Sequence, residues 1–319
     1  MKRVMESQMK KLLAVVLIVF ASPIHAQSYP DKPITVVVPF GPGGTTDLMA
    51  RVLQGEFEKA IGTSLIITNK SGAGGAIAMA EVARGNADGY TLAMTTIGPQ
   101  VLQPTLKKLT YQADSFDYLC GTYDVPLMLM VTQDSPFKTL ADVVNYAKRN
   151  PGKLNYGSSG QGTALHISMA AILKRAGVDG LHVPYKSSGE MATGLLGKHI
   201  MMFVETPAVA TQYQLRPIAI LAEKRLDTHA GVPTVIESGI DVRGTVWGGL
   251  VAPKGLPIDV RGKLQNACAK ATASDAYKAG ANRLNSPLVY RDAATFAAFA
   301  ASEAKAYAAA VREFGLEEK

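Results

Sequence analysis

Two short stretches of the sequence combine glycines with hydroxyl-bearing residues, a combination that suits the binding of an anion. In the first, residues 36–47 read VVVPFGPGGTTD, a β-branched run that ends in a glycine loop. Gly43 and Gly44 lack the Cβ atoms that would keep a ligand away from the backbone, and glycine also allows positive φ. Thr45 and Asp47 are types that cap a helix N-terminus, where free N–H groups and the helix dipole favour negative charge. The expected chemistry is capture of a small anion by backbone amides and hydroxyls.

The second stretch repeats this pattern far along the chain. Residues 154–166 read LNYGSSGQGTALH, again a strand, a glycine and serine loop, and the start of a helix. Ser158, Ser159 and Thr163 supply hydroxyls around Gly160, and His166 follows on the helix. A strand, loop and helix is how most α/β proteins turn a corner, so one copy would be a weak signal. Two copies make that explanation harder to hold.

Other chemistries fit these stretches less well. No Gly-Lys-Ser/Thr follows the first glycines, and Thr46 occupies the last glycine position of a dinucleotide fingerprint. No G-x-S-x-G nucleophile elbow occurs, although a hydrolase using Ser158 or Ser159 with His166 stays open as an alternative. A further run, GAGG at residues 72–75, is read equally well as a second anion nest or as close backbone packing.

A carboxylate at the end of a third apolar run completes the candidate site. Glu205 follows residues 201–204, and side chains at strand ends commonly line the site of an α/β protein. The alternative is a solvated loop charge. We place Glu205 with the candidate binding residues.

The elements that must position these residues alternate between strands and helices. Residues 48–57 carry apolar side chains at helical spacing, and short β-rich runs recur at 64–69, 90–95, 181–185 and 217–221. This alternation predicts an α/β fold with mainly parallel sheets flanked by helices. We expect two lobes, with residues 28–129 and 245–319 in lobe 1 and residues 130–244 in lobe 2.

Composition and the N-terminus indicate an exported globular protein. Of the 319 residues, 47% are hydrophobic and 18% charged, which excludes a disordered chain. Residues 1–26 resemble a secretory signal peptide, because a basic start precedes an apolar run too short to span a bilayer and Ala26 offers a cleavage site. Removal of its four basic residues and one acidic residue lowers the formal net charge from +7 to +4. No cluster of basic residues indicates a nucleic-acid partner, and we expect a periplasmic location.

The sequence does not decide whether the two cysteines are bonded to each other. Cys120 and Cys268 could form a disulfide or remain two buried thiols, since spacing alone cannot decide. We slightly favour thiols, because Cys120 lies in an apolar β-like run and Cys268 on a helical face. Neither C-x-x-C nor H-x-x-x-H occurs, so no metal site and no cofactor is expected.

Several motifs taken together resemble the Bug family, the extracytoplasmic solute receptors of tripartite tricarboxylate transporters. The resemblance covers essentially the whole mature chain in order. The motifs that carry it are YPDKPI at residues 29–34, VPFGPGGTTD at 38–47, YGSSGQGT at 156–163 with His166, VPYK at 183–186, VPTVIESG at 232–239 and WGGLVAPKGLP at 247–257.

This resemblance implies a two-lobed periplasmic-binding-protein fold that closes on a small carboxylate. In the family, the loops that match residues 40–47, beginning with Phe40, and residues 158–163 hold one carboxyl group through amides, hydroxyls and ordered waters. The resemblance further implies a monomeric receptor, not an enzyme, that serves membrane permease subunits. A two-lobed sensor for a signalling partner is the alternative, because it needs the same cleft.

The chain departs from the family pattern around the far end of the ligand. Thr96 stands in a segment without the frequent His-Ala-Ile-Asn, and Glu205-Thr206 replaces a common Asp-Asn pair. We expect Glu205, Thr206, Thr96 and Trp247 to contact the distal group. An ionised Glu205 would disfavour a second carboxylate and favour a zwitterion or hydroxy acid over a citrate-like trianion.

Overall fold

A computed structural model describes residues 29–314 of the chain, with side chains described up to residue 308. The expected signal peptide 1–26 lies outside the described residues, as do both ends of the expected lobe 1. From Lys32 onward the described chain packs as one unit. None of the helices among the described residues is long and apolar enough to span a bilayer.

Eleven strands are present among the described residues. They are β1 (Ile34–Val38), β2 (Leu65–Asn69), β3 (Thr91–Thr96), β4 (Phe116–Pro126), β5 (Met128–Val131), β6 (Asn155–Ser158), β7 (Leu181–Pro184), β8 (Met202–Glu205), β9 (Arg216–Ile220), β10 (Thr245–Pro253) and β11 (Arg291–Asp292).

Ten α-helices accompany these strands in the described part of the chain. They are α1 (Thr45–Ile61), α2 (Ala76–Ala83), α3 (Gln103–Leu106), α4 (Leu140–Arg149), α5 (Ala164–Arg175), α6 (Ser188–Leu196), α7 (Pro207–Tyr213), α8 (Ile258–Ala273), α9 (Asp275–Arg283) and α10 (Ala293–Phe314).

The strands form two sheets, one for each lobe. The first has the order β11-β4-β10-β3-β1-β2 and the second the order β7-β6-β8-β5-β9. Strand β1 pairs in parallel with β2 and β3, and β6 pairs in parallel with β7 and β8. Strands β5 and β10, which adjoin the passages between the sheets, run antiparallel to their neighbours. The predicted α/β class is confirmed, but the sheets are mixed, and the parallel pairs are those that helices connect.

Parallel pairing explains why the two glycine loops lie at sheet edges that can form a site. In β1 the side chains of Ile34 and of residues 36–38 are buried, as expected for a strand covered on both faces. The chain leaves the carboxyl ends of β1 and β6 through the two glycine loops and enters α1 and α5. Ligands of open α/β sheets bind outside these carboxyl ends.

The chain passes between the sheets at two neighbouring points. It crosses at Leu127, between β4 and β5, and returns at Gly244, immediately before β10. The Leu127 amide donates to the Gly244 carbonyl at 2.9 Å, and the Gly244 amide donates to the Leu221 carbonyl at 3.0 Å. These paired crossings are where a hinge between the lobes would bend.

The cysteines form a disulfide, so the slight preference for free thiols is wrong. Cys120 on β4 and Cys268 on α8 are bonded, with their Cα atoms 6.5 Å apart and a sequence separation of 148. Both are fully buried. The bond depends on α8 packing over β4, a contact that the local sequence around either cysteine does not contain.

Candidate functional site

The first glycine loop is fixed by Asp47, which turns back on the loop that precedes it. Its carboxylate accepts hydrogen bonds from the Gly43 amide at 3.1 Å, from Asn69 Nδ2 at 3.0 Å and from Arg51 Nη2 at 3.0 Å. Asn69 Nδ2 also donates to the Phe40 carbonyl at 2.9 Å. Burial acts to raise the pKa of Asp47, but these hydrogen bonds outweigh it and hold the pKa below its usual value. Asp47 is therefore an ionised brace of the loop.

The helix that follows this loop begins without a side-chain cap. Gly44 is the N-cap residue in an extended conformation, and no side chain accepts from the first-turn amides of α1. Thr45, Thr46 and Asp47 of that first turn are all buried. Uncapped amides at a buried helix start need another acceptor, and an anion satisfies them together with the helix dipole.

The second loop is held by its own hydroxyls. Gly160 and Gly162 have φ of +123° and +71°, a backbone conformation that residues with a Cβ rarely adopt. Thr163, the N-cap of α5, donates to the Gly160 carbonyl at 2.8 Å and accepts from the His166 amide at 3.4 Å. The Ala164 amide, at the start of α5, donates to no backbone carbonyl of the described residues. A second buried helix start is thus open to an anion.

A pair of stacked histidines supports this loop from behind. The His166 and His182 rings lie 4.0 Å apart at 26°. His166 Nδ1 accepts from the Gly162 amide at 3.2 Å, and His182 Nε2 lies 2.7 Å from Ser158 Oγ. Ser158 Oγ is also 2.9 Å from the Gly160 carbonyl, to which it donates. In this arrangement the hydroxyl of Ser158 and both rings brace the loop.

One small cavity lies between the two helix starts. Its lining comes from the first loop and α1, the end of β3, the second loop and α5, and three further positions. The residues are Phe40, Gly44, Thr45, Thr46, Asp47, Thr96, Ile97, Gly98, Ser159, Thr163, Ala164, Leu165, Ser188, Glu205 and Val246. The cavity has a volume of about 30 Å³, roughly enough for two or three water molecules. The lobes are therefore closed around the site.

Glu205 lies in this cavity with its carboxylate bridging the lobes. It is 4% exposed. Thr45 Oγ1 donates to it at 3.0 Å from the first lobe, while Ser188 Oγ and the Thr206 amide donate at 2.6 Å each from the second. Burial raises the pKa of Glu205 above its usual value, against the opposing effect of these hydrogen bonds.

Several expected site residues lie beside the cavity without lining it. Gly43 contacts Tyr213 across the cleft, Gly160 approaches Gly74, and Thr206 Oγ1 lies 2.6 Å from Thr45 Oγ1. With Ser158 and His166, they form the support behind the lining residues. The structure brings Phe40, Gly44, Thr45, Asp47, Thr96, Ser159, Thr163 and Glu205 together around the cavity itself.

The expected contact of the Trp247 side chain with a ligand is not supported, because that side chain points away from the cavity. It is fully buried, packs edge-on against Phe296 and Phe299, and donates from Nε1 to Glu303 at 3.0 Å. Only its carbonyl faces the site, where it accepts from Thr96 Oγ1 at 2.8 Å. Val246, its neighbour on the strand, lines the cavity instead.

Two residues outside the predicted set come from the second lobe, through α6 and α7. Ser188 lines the cavity and donates to Glu205, and the Tyr213 hydroxyl lies against Gly43. Ser187, the N-cap of α6, accepts from the Glu190 amide at 3.1 Å. The run Ser187-Ser188-Gly189 carries the same glycine and hydroxyl signature as the other two loops, so a signal for Ser188 was present.

Two α/β lobes closed on one cleft define the periplasmic-binding-protein fold. The solved structure of the periplasmic binding protein BugD aligns with a TM-score of 0.87, at 28% identity, over 91% of this chain and 100% of that one. MatC from Rhodopseudomonas palustris, solved with bound malate, aligns with a TM-score of 0.84, at 26% identity, over 89% of this chain and 100% of that one.

The sequence comparisons identify the family. The model described as the tripartite tricarboxylate transporter family receptor matches residues 49–316. The UPF0065 protein in gbd 5'region from Cupriavidus necator is 36% identical over 301 residues, which cover 93% of this chain and 92% of that protein. The chain therefore belongs to the tripartite tricarboxylate transporter receptors, the family of the Bug proteins, and the predicted resemblance is confirmed. This family and fold are those of solute-binding receptors.

Proposed function

We propose that the chain is a periplasmic receptor that captures a small organic carboxylate and delivers it to the membrane permease subunits of a tripartite tricarboxylate-type transporter. The observation that supports this most strongly is that α1 and α5, one from each lobe, both begin in the same cavity with amides that lack a protein acceptor. A carboxylate placed between them accepts from both lobes at once and so stabilises the closed state.

The ligand carboxylate lies between the first turns of the two helices. The amides at Thr45 and Thr46 approach it from one lobe and those at Ala164 and Leu165 from the other, with the Ser159 hydroxyl at the side. No lysine, arginine or histidine lines the cavity among the described residues, so recognition depends on amides, hydroxyls and bridging waters rather than on an ion pair. A water bridge holds a ligand nearly as well as a direct hydrogen bond.

The wider role follows from the family and the sequence. Family membership supports delivery to a permease, and the bound malate of MatC supports a small organic acid as the ligand. The predicted signal peptide supports export, and the receptor acts as a monomer. A sensor partner in place of the permease predicts that deletion of the gene leaves uptake of the ligand unchanged, whereas the receptor role predicts loss of uptake.

A binding screen on the exported chain tests the first half of the proposal. Thermal unfolding is followed with a panel of small carboxylic acids, each paired with its uncharged primary amide. A true ligand at 100 times its Kd should add about 2.7 kcal/mol to the free energy of unfolding, and its amide should add nothing comparable. Equal stabilisation by an acid and its amide, or no effect of any acid, would contradict carboxylate capture.

A further inference from the structure

Glu205 has one feature that capture of a carboxylate does not use, namely a buried carboxylate that lines the cavity with no cationic side chain of the described residues beside it. A carboxylate accepts about four hydrogen bonds. Thr45, Ser188 and the Thr206 amide supply three, at 3.0, 2.6 and 2.6 Å. The side chain also lines the cavity directly. The Thr206 hydroxyl also acts on the carboxylate, so the donors around Glu205 are neutral hydroxyls and one amide.

The charge of Glu205 has no cationic side chain to balance it. Among the described residues the cavity lining includes no lysine, arginine or histidine, and the other carboxylate, Asp47, is already paired with Arg51. Burial raises the pKa of Tyr123 and of Tyr213, and the charge of Glu205 acts in turn on both tyrosines in the same direction. Hydroxyls and the helix starts of α1, α6 and α7 stabilise the carboxylate in part. A buried carboxylate still costs several kcal/mol unless a cation pairs with it.

We propose that the missing cation comes with the ligand, so that Glu205 binds an ammonium group and the receptor takes a small amino acid in its zwitterionic form. This inference rests on the proposed function, which places the ligand carboxylate on the first turns of α1 and α5. An ammonium group supplies the opposite charge that the neutral donors around Glu205 lack, and charge-assisted bonds are roughly twice as strong as neutral ones.

Thr45 sets the distance between the two charged groups of the ligand. It belongs to the first turn of α1, which faces the carboxylate, and its Oγ1 donates to Glu205 at 3.0 Å. The two subsites are therefore adjacent, as are the carboxylate and the amine of an α-amino acid. The small cavity agrees with a compact ligand.

Dicarboxylates are discriminated against by the same residue. A second carboxylate beside Glu205 would bring two like charges together in a buried site, which lowers affinity for that ligand. The preference for an amine thus depends on repulsion of the competing acid as well as on attraction of the ammonium group.

The test is calorimetric titration of matched ligands into wild-type protein and three variants. Each α-amino acid is compared with the α-hydroxy acid of the same side chain and with a dicarboxylate of similar length. Wild-type protein should bind the amino acid at least ten-fold more tightly than either. Glu205→Gln should lose at least ten-fold for the amino acid and little for the hydroxy acid. Glu205→Asp keeps the charge and should keep the preference, and Glu223→Gln, which removes an exposed carboxylate paired with Arg243, should match wild type.

The other outcomes separate this inference from the proposed function. If wild-type protein binds dicarboxylates or hydroxy acids more tightly than amino acids, carboxylate capture stands and the ammonium site is wrong. If Glu205→Gln tightens binding of every acid, amino acids included, Glu205 is an internal anion that competes with ligands. If no acid of any class binds, the proposed function itself fails. Should Glu205→Gln not fold, loss of the amino acid preference in Glu205→Asp would overturn the inference.

Discussion

Asp47 and Glu205 line one cavity but stand in opposite electrostatic surroundings. The hydrogen bonds of Arg51, Gly43 and Asn69 keep the pKa of Asp47 below its usual value, whereas burial without a cation raises that of Glu205. Asp47 is thereby committed to holding its loop, and Glu205 remains available to a ligand. Two neighbouring carboxylates whose pKa values move in opposite directions have different tasks, a pattern typical of functional sites.

His166 gives the clearest pH effect at the scale of a single residue. Burial, with a smaller contribution from the charge of His182, lowers its pKa from 6.5 to about 4. Between these values the unfolded chain binds a proton that the folded chain does not. The free energy of unfolding should therefore decrease as the pH falls from about 6.5 towards 4, by at most about 1.4 kcal/mol for each pH unit.

Urea unfolding at pH 7.5 and pH 5 measures this effect. His166→Gln removes the titrating ring, so it should reduce the loss of stability between the two pH values. His199→Gln is a control, because His199 is exposed and is not part of the stacked pair. An equal loss in wild type and His166→Gln would show that His166 does not contribute to acid sensitivity.

For single residues, the sequence predicts those roles that depend on adjacent positions in the chain. Thr45 and Thr163 stand where helix-start residues are expected, so their positions follow from the types and order of their neighbours. Successive side chains of a strand alternate between faces, so with Val246 facing the cavity the Trp247 side chain faces away, but the sequence alone does not say which of the two faces a ligand. The glycine and hydroxyl run marks Ser188 as a candidate, but its contact with Glu205 depends on how α6 and β8 pack.

At the scale of elements, the connection from β1 to α1 depends on a conformation that only glycine adopts easily. Gly43 has φ of +82°, and a Cβ there would collide with the Tyr213 hydroxyl from α7. A left-handed backbone conformation costs an alanine about 1–2 kcal/mol. The collision with the Tyr213 hydroxyl comes in addition, from the other side of the cleft. The loop is therefore shaped both for its own turn and for contact with the other lobe.

Gly43→Ala should weaken ligand binding at least ten-fold, because it moves the loop and hinders closure. Combining it with Tyr213→Phe should restore part of the affinity, since the colliding hydroxyl is gone while the backbone strain remains. Calorimetry on both variants measures this. Gly55→Ala is the matched control, because Gly55 lies within α1 with nothing near its Cβ position, so binding should be unchanged. Unaltered affinity of Gly43→Ala would exclude the first loop from the site.

The order of elements was predictable to a larger extent than their pairing. Hydrophobic periodicity and glycine punctuation located the strands and helices around both loops. The antiparallel entry of β5 and β10 and the Cys120–Cys268 bond were not predictable, because they depend on contacts between segments far apart in sequence. Mixed sheets arise here because the strands next to Leu127 and Gly244 must carry the chain between lobes.

At the scale of the whole molecule, the lobes meet through polar contacts on both sides of the cavity. Thr45 Oγ1 donates to Glu205 on one side, and Gln103 Nε2 donates to the Gln161 carbonyl at 2.9 Å on the other. Near Gln161, a Cβ on Gly160 would lie in van der Waals contact with Gly74, at 3.4 Å. Ligand entry thus requires separation of these contacts, with bending at the crossings near Leu127 and Gly244, and ligand binding favours the closed state.

A crystal structure of the receptor with the solute that stabilises it most in the binding screen tests the central claim most directly. The account predicts a closed cleft with one carboxylate of that solute between the lobes. Its oxygens should lie about 2.7–3.2 Å from amides in the first turns of both α1 and α5, or reach them through single ordered waters. A solute bound outside this cavity, or one whose carboxylate contacts neither helix start, would contradict it.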